Sequence, residues 1–576
     1  MRHMRRHFIL PILFALLTIP VCAQEEAATG AINGRVVNER GEAIPGASVM
    51  LRAIGTLNQG RSTTADAEGN FRFEGLEPAL YQINGYAPAY ILQSTGSDSA
   101  GPYHRIGDSV RLEFIKGGVI TGTVTNAAGE PVTGIRVRAF RVRDAKGKGL
   151  QSTQFGSVER ATDDRGVYRI YGLNPGTYVV IAGGGSNQSF QFNPFESDVP
   201  IYSPSSTRDT ATEYTVQSGE EATADIRYRS ESGHTVSGTV KIAGPNGAAI
   251  MVMSNDGMII PTSNAFQPPG ARGFAINGLG DGEYTLYAQE MVAGSPTTAT
   301  MPDISMSDPK RITIKGADVT GIELVPKPLA AISGVIALEP SKAPECQGKR
   351  KPAFGETLVE FQRHEKDAEL IAPFMRSLPS NTTPNQKGAF SLRNLAPARY
   401  RFNPRFYARY WYLQSISLGA SGTAATNART TPARTDAAAN WTVVKSGDQV
   451  SSLTITLAEG AASIRGKITV AEGASIPTGL FVYLVPAERE KAEDVLRYFV
   501  AEVNADGAFA LNNLPPGKYL SLLQNTPPSD TESLLKLRLP ESLEARTKLR
   551  RAAETQKSEV ELKPCQTLAD YQLSLK

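Results

Sequence analysis

The sequence predicts an all-β protein, a tandem array of five small β-sandwiches with short helical insertions in the last. Three observations carry that expectation. A strand-turn-strand unit, clearest from Ala161 to Ala182, recurs five times: Gly69 and Phe71 lead to Tyr81, Gly166 and Tyr168 to Tyr178, Gly273 and Phe274 to Tyr284, Gly388 and Phe390 to Tyr400, and Gly507 and Phe509 to Tyr519. A glycine-centred strand pattern precedes each unit, and a short alternating strand closes it. In each copy the turn between the aromatic residue and the tyrosine makes the unit read as a β-hairpin.

Taken from the start, Arg2, Arg5 and Arg6 precede an apolar run from Phe8 to Ile19 and a small-residue end, Val21-Cys22-Ala23. This reads as a secretory signal peptide over residues 1–23, with lipid attachment at Cys22 the minor alternative because Val21 precedes it. No later stretch reaches the run of about 20 apolar residues that a bilayer span needs. Cleavage removes three of the 60 Lys and Arg residues, leaving 57 against 57 Asp and Glu. A balanced charge gives no electrostatic reason to expect a nucleic-acid partner.

The first strands are Ile32–Val36, Ile120–Val124, Val236–Val240, Ile332–Ile336 and Ile464–Ile468, each with glycine at its centre. The closing strands are Val110–Phe114, Ala224–Tyr228, Thr320–Leu324, Leu453–Leu457 and Tyr571–Leu575. These landmarks divide the chain into repeats at 24–116, 117–231, 232–328, 329–459 and 460–576. From first-strand glycine to tyrosine the spacing is 47, 56, 46, 66 and 53 residues, so loops absorb the variation. The stretch 419–440, poor in large apolar residues, is expected to be a mobile loop. The insertion 540–557 sets Leu543, Leu549 and Ala553 among charges after a proline and reads as a one-faced surface helix, with a shorter helix over Ala487–Leu496. Linkers as short as Phe114–Gly118 suggest a semi-rigid rod.

The motif order I-x-G-x-V, G-x-P-x-x-G-x-x-V, T-D-x-x-G-x-F/Y and L-x-P-G-x-Y resembles the carboxypeptidase regulatory-like domain, a transthyretin-like sandwich related to carbohydrate-binding folds. Repeat 2 matches throughout, and repeat 1 matches with Pro45 shifted and Ala79 in place of glycine. Repeat 5 matches through Asp506–Phe509 and Leu514–Tyr519, whereas repeats 3 and 4 depart at Gly282 and Ala398. The resemblance implies a module without catalytic residues of its own.

The side chains themselves carry no catalytic spacing. His104, His234 and His364 fall in different repeats, and His364-Glu365 lacks the spacing that places two metal ligands on one face. No G-x-S-x-G elbow occurs, and no enzyme activity, cofactor or metal is expected. Asp163-Asp164 reads as a turn rather than a calcium site. Cys346 and Cys565 form an even pair after cleavage and invite a disulfide. The aromatic run Tyr400, Phe402, Phe406, Tyr407, Tyr410, Trp411 and Tyr412, interleaved with Arg399, Arg401, Arg405 and Arg409, has two readings. Tyr407, Tyr410, Trp411 and Tyr412 form a stacking platform for a glycan, or the rings fill a core and a domain junction.

The function expected is a non-enzymatic, exported binding or scaffold protein of the cell envelope. It would be periplasmic, surface-bound or secreted, with polysaccharide as the first partner class and envelope proteins as the second. An accessory component of a separately encoded peptidase or outer-membrane receptor is the third reading.

Overall fold

The computed structural model describes residues 29–575 except 55–59, 94–101, 151–157, 186–192, 243–245, 256–258, 261–265, 269, 271, 292–302, 365, 368–374, 376–380, 420–433, 471–474 and 526–541. The expected signal peptide and most of the loop 419–440 lie outside these residues. The described strands form ten sheets, two within each repeat span, and a hydrophobic core lies between the two.

In one sheet of each pair the first strand lies between two partners. Gly30–Asn38, Gly118–Thr125, His234–Val240, Ala330–Glu339 and Ala462–Thr469 each pair antiparallel with the strand that carries the aromatic residue. On the other side each pairs parallel with the closing strand, so these sheets are mixed. The facing sheet joins the tyrosine strand antiparallel to an upstream strand, as Gly176–Ala182 joins Arg136–Arg143.

The expected hairpin is an arch. Val167–Leu173 pairs with Gly118–Thr125, whereas Gly176–Ala182 pairs with Arg136–Arg143, so the two strands of the unit lie in different sheets. Two local features turn the chain across. The residue before the turn leucine sits in the left-handed region (Gly75, Gly172, Gly278, Asn394 and Asn513, φ 58–76°) and coincides with a register shift against the first strand. The tyrosine hydroxyl then donates to the carbonyl four residues upstream, Tyr81 to Glu77, Tyr178 to Asn174, Tyr284 to Gly280, Tyr400 to Ala396 and Tyr519 to Pro515, at 2.6–2.9 Å. Burial pushes Tyr178 and Tyr519 up to about 12, so the hydroxyl stays a donor across any physiological pH.

The first-strand glycine has a steric cause. It pairs directly with the aromatic residue in every span: Gly34 with Phe71, Gly122 with Tyr168, Gly238 with Phe274, Gly334 with Phe390, and Gly466 with Phe509. A Cβ on Gly34 would stand 2.2 Å from the Phe71 ring, and one on Gly466 2.3 Å from the Phe509 ring. On Gly238 it would stand 1.9 Å from the Ile322 carbonyl of the closing strand. The ring and the parallel strand thus occupy the volume that a side chain would need.

In the fifth span, helix Leu543–Gln556 is capped by Ser542, whose hydroxyl accepts from Ala545 N. Its buried positions are Arg546 and Ala553 with Leu549 partly covered, while Leu543 is exposed, so the buried stripe begins one turn later than the sequence pattern suggested. The shorter helix expected over Ala487–Leu496 is two single 3₁₀ turns, Arg489–Lys491 and Val495–Arg497. Asp494 breaks the path by taking an extended conformation and capping the second turn at Leu496 N. At the end of the expected loop 419–440, Ala437 and Ala438 are buried, held by a turn in which Asp436 accepts from Ala438 N and Ala439 N.

The array does not run as a rod. The first span folds back on the fourth, where Leu80 N donates to Gly355 O, Asn381 Nδ2 to Tyr103 Oη, and Thr383 Oγ1 to Ile54 O. Ile54, Leu80 and Leu358 are buried together there. Gly355 is required by the approach, since a Cβ on it would lie 2.6 Å from Pro78 O.

Gly466→Ala forces the Phe509 ring or the Tyr571 carbonyl aside, at a cost of about 1–3 kcal/mol by the usual penalty for overpacking. Amide exchange in the fifth span is expected to accelerate roughly tenfold to a hundredfold, since about 1.4 kcal/mol is a factor of ten. Gly149→Ala, where a Cβ meets nothing within 4 Å, leaves exchange unchanged. Equal protection in both variants would refute the steric account.

Candidate functional site

The aromatic run Tyr400–Tyr412 lies where the first, fourth and fifth spans meet. Tyr400, Phe402 and Trp411 are buried in the core of the fourth span. Tyr407 is 40% exposed and is covered by Arg105 of the first span, 4.6 Å from its ring centre. Lys349 stands 4.7 Å over the ring of the half-buried Tyr410. Tyr412, also half-buried, faces the linker glycine Gly460, and burial raises its hydroxyl pKa. The four expected platform residues therefore do not form one exposed surface. Strand alternation turns Trp411 inward, and the contact between spans takes up Tyr407.

The interleaved arginines also find other partners. Arg405 pairs with Glu360 at 2.7 Å, and Arg399 pairs with Asp367 through both carboxylate oxygens. That pairing holds Asp367 down at about 2. Because the folded value is depressed, its contribution to stability is present above the ordinary carboxylate range and is lost as pH falls toward 2. Arg401 stacks 4.5 Å over Trp441, whose ring also meets His364 edge-on at 5.1 Å. Sequence reasoning passed over Trp441. The available signal was its position directly before the β-branched strand Thr442–Val444, whose alternation puts it on the outer face of the sheet.

Asp163 is a turn residue, with Oδ1 accepting from Arg165 N and Val167 N. Its pKa is lowered first by the Arg165 side chain and then by Val167 N. Asp66 and Asn385 make the same turn in their spans. His234 lies between Asp281 and Asp318, at 3.3 and 3.8 Å, on opposite ring nitrogens. Cys346 and Cys565 are joined as a disulfide with Cα atoms 5.4 Å apart. Cys346 is buried in the fourth span, and Cys565 N donates to Gly460 O, so the bond clamps the linker between the last two spans.

From the second span to the fifth, the left-handed residue of the arch also serves the join with the span before it. Gly172 packs on Gly117, whose N–H donates to Ala89 of the first span. Gly278 leaves room for the Glu196 carbonyl of the second span, which would lie 2.6 Å from a Cβ. In the last two spans asparagine replaces glycine and adds hydrogen bonds. Asn394 Oδ1 accepts from Ile304 N at 2.8 Å, and Asn513 Nδ2 donates to both Ala408 O and Trp411 O at 2.7 Å.

Asn513→Gly keeps the left-handed backbone and loses two bonds, whereas Asn513→Ala also strains φ, adding roughly 1 kcal/mol. Limited proteolysis at the linker between the fourth and fifth spans is expected to rise in the order wild type, Gly, Ala; identical rates would mean the side chain does not hold the joint. Intact-mass measurement should find the chain two hydrogens below its dithiol mass. Labelling of either cysteine by a thiol reagent before reduction would contradict the bond.

No curated protein matches the chain. Among solved structures, the Bacillus anthracis TIE protein is 15% identical over 52% of this chain and 50% of its own length, with a TM-score of 0.14. This chain thus spans about half of that protein. The GBS52 minor pilin of Streptococcus agalactiae is 13% identical over 35% of this chain and 95% of its own, at 0.19. Two B repeat units of the Staphylococcus aureus collagen-binding protein are 10% identical over 75% and 100%, at 0.13. At such scores none of these likenesses bears on function. The match that identifies part of the chain is the one to a family model: residues 31–98 match the carboxypeptidase regulatory-like domain.

Proposed function

We propose that this chain is an exported, non-enzymatic scaffold of the cell envelope, a five-domain array that presents adhesive surfaces in fixed relation, with polysaccharide as its partner class. The observation that carries the reading is the repeated joint. From the second span to the fifth, the same arch residue seats the preceding span, and where it is asparagine its side chain bonds across the join. An enzyme needs one pocket held in shape, whereas here the recurring polar side chains are spent on turns and on orientation between spans.

Two further facts support the reading. The Cys346–Cys565 bond fits a compartment where disulfides persist. Residues 31–98 match a carboxypeptidase regulatory-like domain rather than a catalytic one.

The test is retention of residues 24–576 on cell envelopes of the producing organism, untreated, periodate-oxidised or protease-stripped. Loss of retention after periodate alone supports the glycan partner. Loss after protease alone replaces it with an envelope protein. No retention on untreated envelopes would overturn the adhesive reading.

A further inference from the structure

The first span carries a groove of about 750 Å³ on the outer face of its mixed sheet, walled on one side by Thr63 and Thr64. Its floor is three adjacent strands of that sheet, Asn70–Leu76, Gly30–Asn38 and Ser109–Lys116, and three arginines line it: Arg35, Arg72 and Arg111. All three are exposed. Each is tied down at Nε, Arg35 by the Glu68 carbonyl at 2.9 Å, Arg72 by Glu74 at 2.5 Å and Arg111 by Glu113 at 2.6 Å. Arg72 Nη1 also donates to Asn33. The terminal nitrogens of Arg35 and Arg111 have no protein hydrogen-bond partner among the described residues.

The fold does not require this arrangement. Arg35 and Arg111 are direct partners across parallel strands, so two like charges lie side by side, which is unfavourable for a sheet. The same register position holds Thr239 with Glu323 in the third span, Val335 with Thr454 in the fourth and Lys467 with Gln572 in the fifth. Only the first span sets two guanidinium groups together there. Arginine presents a planar fork that matches a carboxylate, and anchoring at Nε removes most of the side-chain entropy that binding would otherwise cost. Asp66 also lines the groove, but its Oδ1 accepts from Glu68 N and Asn70 N, and the Asn70 bond chiefly lowers its pKa. Around the arginines stand short hydroxyl and amide groups, Thr63, Thr64, Ser109 and Asn33, which suit the hydroxyls of a sugar ring.

We infer that this groove binds an acidic polysaccharide, with a uronate carboxylate received between Arg35 and Arg111 and the neighbouring hydroxyls read by the threonine wall. The inference rests on the glycan reading above and gives it a place and a ligand class. It moves the binding surface away from Tyr407–Tyr412, in the fourth span, to the first.

The test uses residues 24–576 on immobilised polygalacturonate, with a neutral glucan and poly-glutamate as the other arms. Wild type is expected to bind polygalacturonate in a salt-sensitive manner and to ignore the glucan. Arg35→Gln/Arg111→Gln should weaken binding at least tenfold, whereas Arg393→Gln, exposed in the fourth span, should leave it unchanged. Unaltered thermal unfolding of the double variant shows that it is folded. No binding by wild type, or equal binding by the double variant, overturns the groove. Equal binding to poly-glutamate replaces the sugar with an acidic peptide. If polygalacturonate fails while periodate-sensitive retention on envelopes persists, the groove inference falls and the glycan function stands; if both fail, both fall.

Discussion

Everything in this chain depends on a contact in which a glycine gives its side-chain space to an aromatic ring on the neighbouring strand. The ring lies over the central strand because no Cβ opposes it, and the closing strand approaches from the other side within the same freed volume. A dense core follows from the fit, since interiors at crystal-like packing density have no slack for an added methyl. The contact also fixes register: a slip of one residue would put a side-chain-bearing position under the ring and turn the apolar face outward. The pairing of glycine with aromatic residue recurs in all five spans, each with its own core and with its first strand between two partners in a mixed sheet.

A second, polar constraint links the two sheets. The tyrosine that begins the facing sheet reaches back to the carbonyl four residues earlier, which closes the arch and satisfies a backbone acceptor where the ladder is broken. Just before it, the left-handed residue bends the strand out of register. Such a bend presents backbone at the end of the sandwich, where the preceding span attaches. Hence one irregularity serves both the arch and the joint. Glycine suffices where the approach is close, as at Gly172 and Gly278, and asparagine tolerates the same backbone while adding a side-chain bond, as at Asn394 and Asn513.

The repeats, their order and the all-β class were legible because alternation, turn residues and recurrence are local signals. The arch was not, because an alternating strand, a proline-glycine turn and a second strand read alike whether the strands pair with each other or with two different neighbours. A discriminating sign was present: Gly176–Ala182 is apolar or small throughout, as suits a strand buried on both faces, whereas a hairpin partner on a solvated sheet would alternate. The fate of the aromatic run was legible only as two alternatives. Composition cannot say that Trp411 turns inward or that Arg105, some 300 residues earlier, comes to rest on Tyr407. Contacts between distant spans leave no local periodicity. The cysteine pairing was suggested by parity alone, yet parity holds no geometry, and it is the linker at Gly460 that brings the two sulfurs together.

The groove of the first span shows how repetition itself exposes function. When one framework is built five times, residues that the framework needs recur, and residues that depart from the pattern at an equivalent position answer to something else. The glycine, the ring and the tyrosine recur and explain the fold. The paired arginines at positions 35 and 111 do not recur, and they incur a like-charge cost that the other spans avoid with a threonine facing an acid or with neutral partners. Their anchoring at Nε, by the Glu68 carbonyl for Arg35 and by the Glu113 carboxylate for Arg111, orients both guanidinium groups and leaves their terminal nitrogens directed to an incoming acceptor. The sequence carries a formal net charge of only +3 over 576 residues, so this is a matter of local placement rather than of a basic protein. Recognition there must therefore come from short-range, directional bonds, and those favour a ligand that carries both carboxylates and hydroxyls.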